Sequence, residues 1–407
     1  MGNIVYTEMK SYMSKNISML VFVWCVILIT SLLNKAYLQS NIVSLAVYLI
    51  ESLLIVWLTI YICAKNPYFF TNYIIVLSFF IIVSNFLFSS TLNEPSLLLK
   101  IWGYVCTFGF GAIIAKENRT IYINRNLLRF FIFVPLLLVL FLDKTPSKEM
   151  FFADGNMYTL YGVCCSMLYY VSNENEKHVF FKCIGIIIAY LAVGSSMGII
   201  VAFLLSAIFI NKERRNFIKG LLLLFIFFVV FVALVDIPIT YRIKNTFDIF
   251  SSLSLDDWKN LGDVNLYDLQ MENPVEDGNR SDNTSAIWRM KHWLIVIVDY
   301  INNIPFCLPF GEGVDYISTK FGKAPHNEWL RILAEFGVII FTCCLVGAIK
   351  LFKRLKSSNI AYFIMPFIFY MLTENIVETY INCSIFFMVA GYSFFHVKME
   401  PNKVIGQ

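Results

Sequence analysis

A histidine at position 326 stands where a long polar segment gives way to an apolar run, in the string Pro325-His326-Asn327-Glu328-Trp329-Leu330-Arg331-Ile332-Leu333-Ala334-Glu335-Phe336-Gly337. Imidazole is the side chain whose charge changes near neutral pH, which suits it to take or give a proton. Arg289, earlier in the polar segment, offers a planar fork of donors that stays charged and can hold an oxyanion in two places. Arg242 and Arg280 are further cations of the same segment. A proton acceptor and an anion grip at the mouth of a membrane helix are placed for chemistry on a substrate carried by a lipid.

The elements that must position these groups are apolar. The chain has 407 residues, 58% of them hydrophobic and only 15% charged, with 39 Phe and a mean hydropathy of +0.68. That composition lacks the polar surface a soluble globule of this size requires, so the expected fold class is an all-α polytopic membrane protein. Runs long enough to cross hydrocarbon, about 20 residues as helix, occur near 17–33, 42–63, 70–90, 97–115, 127–142, 156–172, 179–194, 195–210, 217–236, 328–350, 359–373 and 379–396, which makes about twelve spans. The first run has no small-residue cleavage site after it and reads as a retained span. Lys and Arg resist translocation, and Lys65, Lys116, Arg119, Arg125, Lys177, Lys212, Arg214, Arg215, Lys353, Arg354, Lys356, Lys398 and Lys403 fall on one side of this layout. Both termini are therefore expected in the cytoplasm. The organisation that follows is residues 1–236 as spans one to nine, 237–327 as one large periplasmic or extracellular loop, and 328–407 as spans ten to twelve with a cytoplasmic tail.

The ten cysteines are scattered without a CxxC pair, and the four histidines His178, His292, His326 and His396 are dispersed, so neither a disulfide framework nor a metal site is expected. The net charge of +4 is accounted for by cytoplasmic anchoring and gives no reason to expect nucleic acid as a partner. Glu51 is an acid inside an expected span, a costly placement whose role the sequence leaves open. Trp288, Trp293 and Trp329 read as interface-belt aromatics that could also stack on sugars.

Within the large loop, residues 248–284 are polar and rich in Asp, Asn and Ser. Residues 285–304 differ. Ile287, Trp288, Trp293, Leu294, Ile297 and Ile301 recur near helical spacing opposite Arg289, His292 and Asp299, which predicts an amphipathic helix on or against the membrane domain, ending at Asn303 before Pro305. Pro309-Phe310-Gly311-Glu312-Gly313 then makes a turn. On the tenth span, Pro325 fits the first helical position and His326 its first turn, with Leu330, Leu333 and Gly337 on the same stripe. Asn327, Arg331 and Glu335 fall on the neighbouring stripe at i, i+4 and i+8, where Arg331 and Glu335 can pair.

The succession Ser285-Ala286-Ile287-Trp288-Arg289, Pro305, Gly311-Glu312-Gly313 and Pro325-His326-Asn327 leading into Leu330, Glu335 and Gly337 resembles the O-antigen polymerase and O-antigen ligase superfamily. The single large loop late in the chain and Asp154-Gly155-Asn156 at the entry to the sixth span agree with that resemblance. It implies a glycosyltransferase of the bacterial inner membrane that acts at the outer face on glycans carried by undecaprenyl diphosphate. Such a donor already bears a good leaving group, so neither metal nor cofactor is called for. The resemblance assigns His326 as catalytic base, Arg289 as the main diphosphate grip with Arg242 and Arg280 behind it, and Asn327 as orienter of His326 or donor to the acceptor sugar. Arg331, Glu335, Gly311 and Gly313 are then structural supports, and free N–H groups at the start of the tenth span could attract phosphate. Membrane lipid and a chain-length regulator are further expected partners.

One departure is specific. The family often carries a Ser-Arg-Gly string at the edge of a mid-chain span, and the corresponding stretch here reads Gly194-Ser195-Ser196-Met197-Gly198, without the arginine. Polymerase and ligase differ only in acceptor, either another lipid-linked repeat unit or the lipid A core. The more divergent polymerase branch accommodates the missing arginine better. A lipid-linked oligosaccharide flippase also fits twelve spans, but no internal repeat supports it.

Overall fold

The computed structural model describes residues 2–33, 40–66, 95–117, 120–141, 155–194, 196–210, 284–303, 308–322, 324–356, 358–377 and 379–396. Every regular element among them is a helix: α1 (Gly2–Leu33), α2 (Asn41–Lys65), α3 (Pro95–Lys116), α4 (Arg125–Phe141), α5 (Gly155–Ser172), α6 (Val179–Gly194), α7 (Met197–Ile210), α8 (Thr284–Asn302), α9 (Tyr316–Phe321), α10 (Glu328–Leu355), α11 (Ala361–Tyr370) and α12 (Tyr380–His396). Helices thus coincide with all the expected apolar runs except 70–90 and 217–236, which lie outside the described residues along with Arg242, Arg280, Pro305 and the segment 237–283. Asn41–Lys65, Leu97–Lys116 and Glu328–Leu355 are long and apolar enough to cross a membrane.

The bundle closes where backbones approach most tightly. In α3 and α12, Gly111 faces the Met388 carbonyl and Gly391 faces the Phe108 carbonyl, so that a Cβ at either place would overlap the opposite main chain. Small residues at a helix crossing let two apolar helices gain dispersion contact that larger side chains would block. Beside this pair, α5 packs on α6, with the Tyr158 and Tyr190 rings 4.8 Å apart. Pro135 inside α4 cannot donate to the carbonyl one turn back, and its ring disturbs the next. The Tyr161 hydroxyl donates to that Phe131 carbonyl at 2.7 Å, and the Tyr190 hydroxyl to the Ile132 carbonyl. Satisfying such carbonyls from neighbouring helices is what makes a proline tolerable away from water.

The tenth expected span departs from a plain helix. At Gly337 the backbone of α10 turns to φ 77°, ψ 177°, which breaks the hydrogen-bond ladder between residues 336 and 338. The turn 308–313 fills the break: Glu312 N–H donates to the Ala334 carbonyl at 2.8 Å, Gly313 N–H to the Glu335 carbonyl at 3.0 Å, and Val338 N–H to the Leu308 carbonyl at 2.9 Å. Gly311, itself at φ 76°, lies directly on the backbone of Glu335 and Phe336, and a Cβ on Gly337 would sit 2.5 Å from Pro309 O, Phe310 N and Gly311 N. Both positions require glycine, because positive φ and the absence of side-chain room coincide there.

Candidate active site

Four segments far apart in sequence meet at one carboxylate. Glu374 lies in the connector between α11 and α12 and is 2% exposed. Its Oε1 accepts from Arg289 Nη2 at 2.8 Å and from Asn156 Nδ2 at 2.8 Å, and its Oε2 lies 2.9 Å from His326 Nδ1. The side chains of Arg289 and His326 are 24% and 30% exposed. A buried acid therefore backs an imidazole and a guanidinium that both reach the surface. A carboxylate accepts only, so it selects the His326 tautomer with the proton on Nδ1 and places the lone pair on Nε2.

Each partner is held by its own element. Asn156 stands in the first turn of α5, and Arg289 in the second turn of α8. The Trp293 indole, one turn further along α8, donates to the Pro325 carbonyl at 2.6 Å and so fixes the spacing between Arg289 and the histidine segment. The connector that carries Glu374 is clamped by Glu328, 2% exposed, whose Oε2 accepts from Ile376 N–H at 3.0 Å and Val377 N–H at 3.4 Å. Glu328 N–H in turn donates to the Met371 carbonyl at 2.7 Å. Two ends of one short connector are thereby pinned to the first residue of α10.

His326 differs from the expected helical residue. Its backbone is left-handed at φ 49°, and α10 starts only at Glu328, with Asn327 as the N-cap. Pro325 accordingly precedes the cap and does not occupy the first helical position. The stripe of His326 with Leu330, Leu333 and Gly337 does not form, because the helix begins after the first of these and breaks at the last. Asn327 Oδ1 accepts from Leu330 N–H at 3.0 Å, a helix cap. Capping by Asn327, together with the bond from Glu328 N–H, engages N–H groups that the sequence offered to phosphate. A left-handed non-glycine residue is strained by about 1–2 kcal/mol, and such strain gathers at functional positions.

The amphipathic helix is present as α8, and its packing settles which face turns inward, a point its period left open. His292, Ile295, Val296 and Tyr300 are buried, whereas Leu294, Ile297 and Ile301 are 39%, 40% and 55% exposed. The polar edge with Arg289 turns toward the site, and the apolar stripe is left outward, as suits a helix lying at an interface.

Arg331 and Glu335 pair as their spacing implied, with Nε 3.2 Å from Oε2, and both are buried inside protein. Asp315, which the sequence reading passed over, approaches Arg331 at 3.7 Å. Gly311 and Gly313 belong to the turn that fills the helix break and stand apart from the carboxylate. Glu51 lies part-buried on α2. Among the described residues, no group of three or more His, Cys, Asp or Glu has metal-binding geometry.

Residues missed by sequence reasoning are Glu374 and Glu328, and Asn156 was noticed only as the entry to a span. Glu374 carried one local signal, an acid in a connector of a few residues between two apolar runs. Among the described residues Arg289 Nε has no hydrogen-bond partner, so its donors are not exhausted by Glu374. The arrangement can accept a proton at His326 Nε2, stabilise the resulting imidazolium against Glu374, and present a guanidinium to an anion alongside.

With this geometry in hand, comparison with known proteins is specific. Residues 179–345 match a family model described as O-antigen ligase, a stretch that includes Arg289, Gly311, Gly313, His326 and Asn327. No curated protein matches the chain.

Proposed function

From the match of residues 179–345 to a family model described as O-antigen ligase, we propose that this membrane protein is a surface-polysaccharide polymerase of the O-antigen ligase and polymerase superfamily. It joins repeat units carried on undecaprenyl diphosphate at the outer face of the bacterial inner membrane. The observation that carries the reading is the Glu374 carboxylate shared by His326 and Arg289. In the proposed reaction the acceptor hydroxyl loses its proton to His326 Nε2 as its oxygen bonds to the anomeric carbon of the donor sugar. The bond from that carbon to the diphosphate oxygen breaks, and undecaprenyl diphosphate leaves with the electron pair. Glu374 holds the ring and balances the imidazolium, the logic of a base oriented by an acid. Arg289 meets the charge that grows on the leaving diphosphate.

A metal has no necessary part in this scheme, because the diphosphate is already activated and a guanidinium can neutralise it. The missing mid-chain arginine favours the polymerase branch and places more of the anion binding on Arg289. Transfer of a finished glycan to the lipid A core by the same groups is the second reading, since it shares donor and base.

The test is a glycan gel from a strain that lacks the gene, complemented with wild type or His326→Ala. A polymerase gives loss of the ladder with one repeat remaining on the core. A ligase gives complete loss of surface glycan while lipid-linked polymer accumulates. A normal ladder from His326→Ala would end both readings.

A further inference from the structure

At the opposite end of α5 from Asn156, about 20 Å along the helix axis to Tyr169, a groove of about 410 Å³ opens between α4 and α6. Arg125, Arg129 and Lys182 form its rim together with Tyr169, and below them the walls are Ile132, Phe133, Leu136, Ile186 and Ala189. Among the described residues, one acid answers two of these three cations. Glu176 pairs with Lys182 at 2.5 Å and with Arg125 at 3.5 Å, and it accepts from the Tyr169 hydroxyl at 2.8 Å. The bonds from Lys182 and Tyr169 hold its carboxyl below the ordinary carboxylate range, so it is ionised and already spent on its own neighbours. Among the described residues Arg129 makes no ion pair, and the rim keeps a surplus of positive charge.

The floor of the groove is open. A Cβ built on Gly185 meets nothing within 4 Å, in contrast to Gly162 on the facing helix α5, where it would run into the Tyr190 ring. Phe133 of the wall is itself 48% exposed, and beside the groove Phe130, Phe181 and Ile188 are 45%, 69% and 47% exposed, so apolar surface adjoins the walls. A basic rim above an apolar slot that opens onto apolar surface has the form of a phospholipid, with a phosphate for the cations and an acyl chain for the slot. A free phosphate would use the rim and gain nothing from the walls. The cation pattern of the sequence puts this end of the bundle at the cytoplasmic leaflet.

We propose that Arg125, Arg129 and Lys182 bind the headgroup of an anionic phospholipid of that leaflet, whose acyl chain lies along Ile132, Leu136, Ile186 and Gly185. The site is distinct from the one around Glu374 and does not depend on what that site does. The experiment uses the full-length protein purified in detergent, with added phosphatidylglycerol, phosphatidylcholine or inorganic phosphate. Bound lipid is counted by native mass spectrometry and the thermal midpoint is measured alongside. Phosphatidylglycerol is expected to be retained and to raise the midpoint, and the other two additives to do neither. Arg129→Gln, which breaks no ion pair among the described residues, should weaken retention about fivefold. Gly185→Leu, which extends a side chain into open space on a helix, should abolish retention while the lipid-free midpoint stays at or above wild type. Equal retention of phosphatidylcholine, stabilisation by inorganic phosphate alone, or unchanged retention in both variants would each overturn the proposal.

Discussion

Replacing Glu374 with Gln keeps the volume of the side chain and changes only its charge and one hydrogen-bond sense, so the consequence can be worked from three contacts. The carboxylate faces donors at Arg289 Nη2, Asn156 Nδ2 and His326 Nδ1, at 2.8, 2.8 and 2.9 Å. An amide has one accepting oxygen and one donating nitrogen. If the oxygen stays with Arg289 and Asn156, the nitrogen meets His326 Nδ1, which must become an acceptor. The ring proton then moves to Nε2, the atom proposed to receive the proton of the acceptor sugar. If the amide turns over, its NH₂ confronts Asn156 and the guanidinium, and a charge-assisted contact of about 1.5–3 kcal/mol is lost. The first orientation removes the base, and general-base catalysis is worth about 10² to 10⁴ in rate. The expected result is a fall in glycan transfer of at least about 100-fold, or about 2.7 kcal/mol in the barrier. Transfer would be measured with lipid-linked oligosaccharide and purified protein, with the amount of folded variant in the membrane as control. A Gln variant of normal abundance that works within about threefold of wild type would refute the orienting role of Glu374.

Three other outcomes follow from the same geometry. Arg289→Lys should impair transfer by about tenfold or more through a weaker hold on donor, because a point charge cannot replace a fork that serves both Glu374 and a diphosphate; donor KM reports it. Gly337→Ala should lower the thermal midpoint sharply, since its Cβ would lie 2.5 Å from three backbone atoms at a positive φ, whereas Gly347→Ala, with nothing within 4 Å, should be neutral or stabilising by up to about 1 kcal/mol. Glu328→Ala should cost about 1–3 kcal/mol for each of the two stranded N–H groups of Ile376 and Val377 and loosen the connector that bears Glu374, while Glu328→Gln, which keeps an accepting oxygen, should retain most stability in the same melt.

Much of the helical layout is legible in the chain because length and apolarity decide it locally. α2, α3 and α12 begin and end close to where their apolar runs do. The period of 285–304 likewise marks α8, but not which side faces inward, since both the Leu294 stripe and the Val296 stripe are apolar and only the neighbours choose between them. His326 and Arg289 carry local signals, a proton-exchanging ring and a fork in a membrane-edge segment. Glu374 carries almost none, for its meaning lies in contacts to residues 48 and 85 positions earlier in the chain. Asn327 is a clear case of a local rule passed over, because Asn directly before a helical run is a standard N-cap. The break at Gly337 is hidden for the opposite reason. Residues on both sides continue one apolar run, and the interruption exists only because the turn at Gly311 supplies hydrogen bonds from elsewhere.

That interruption has a bearing on how deep the charged residues lie. The portion after it, 338–355, is about 27 Å long at a rise of 1.5 Å per residue, close to the ~30 Å thickness of hydrocarbon in a bilayer. The second rod alone therefore suffices to cross the oily layer. The first rod, with Glu328, Arg331 and Glu335, is then not needed for the crossing, and its charged residues need not meet acyl chains. An acidic and basic trio that would be prohibitive in mid-bilayer is in this way carried by the same stretch of chain that anchors the protein.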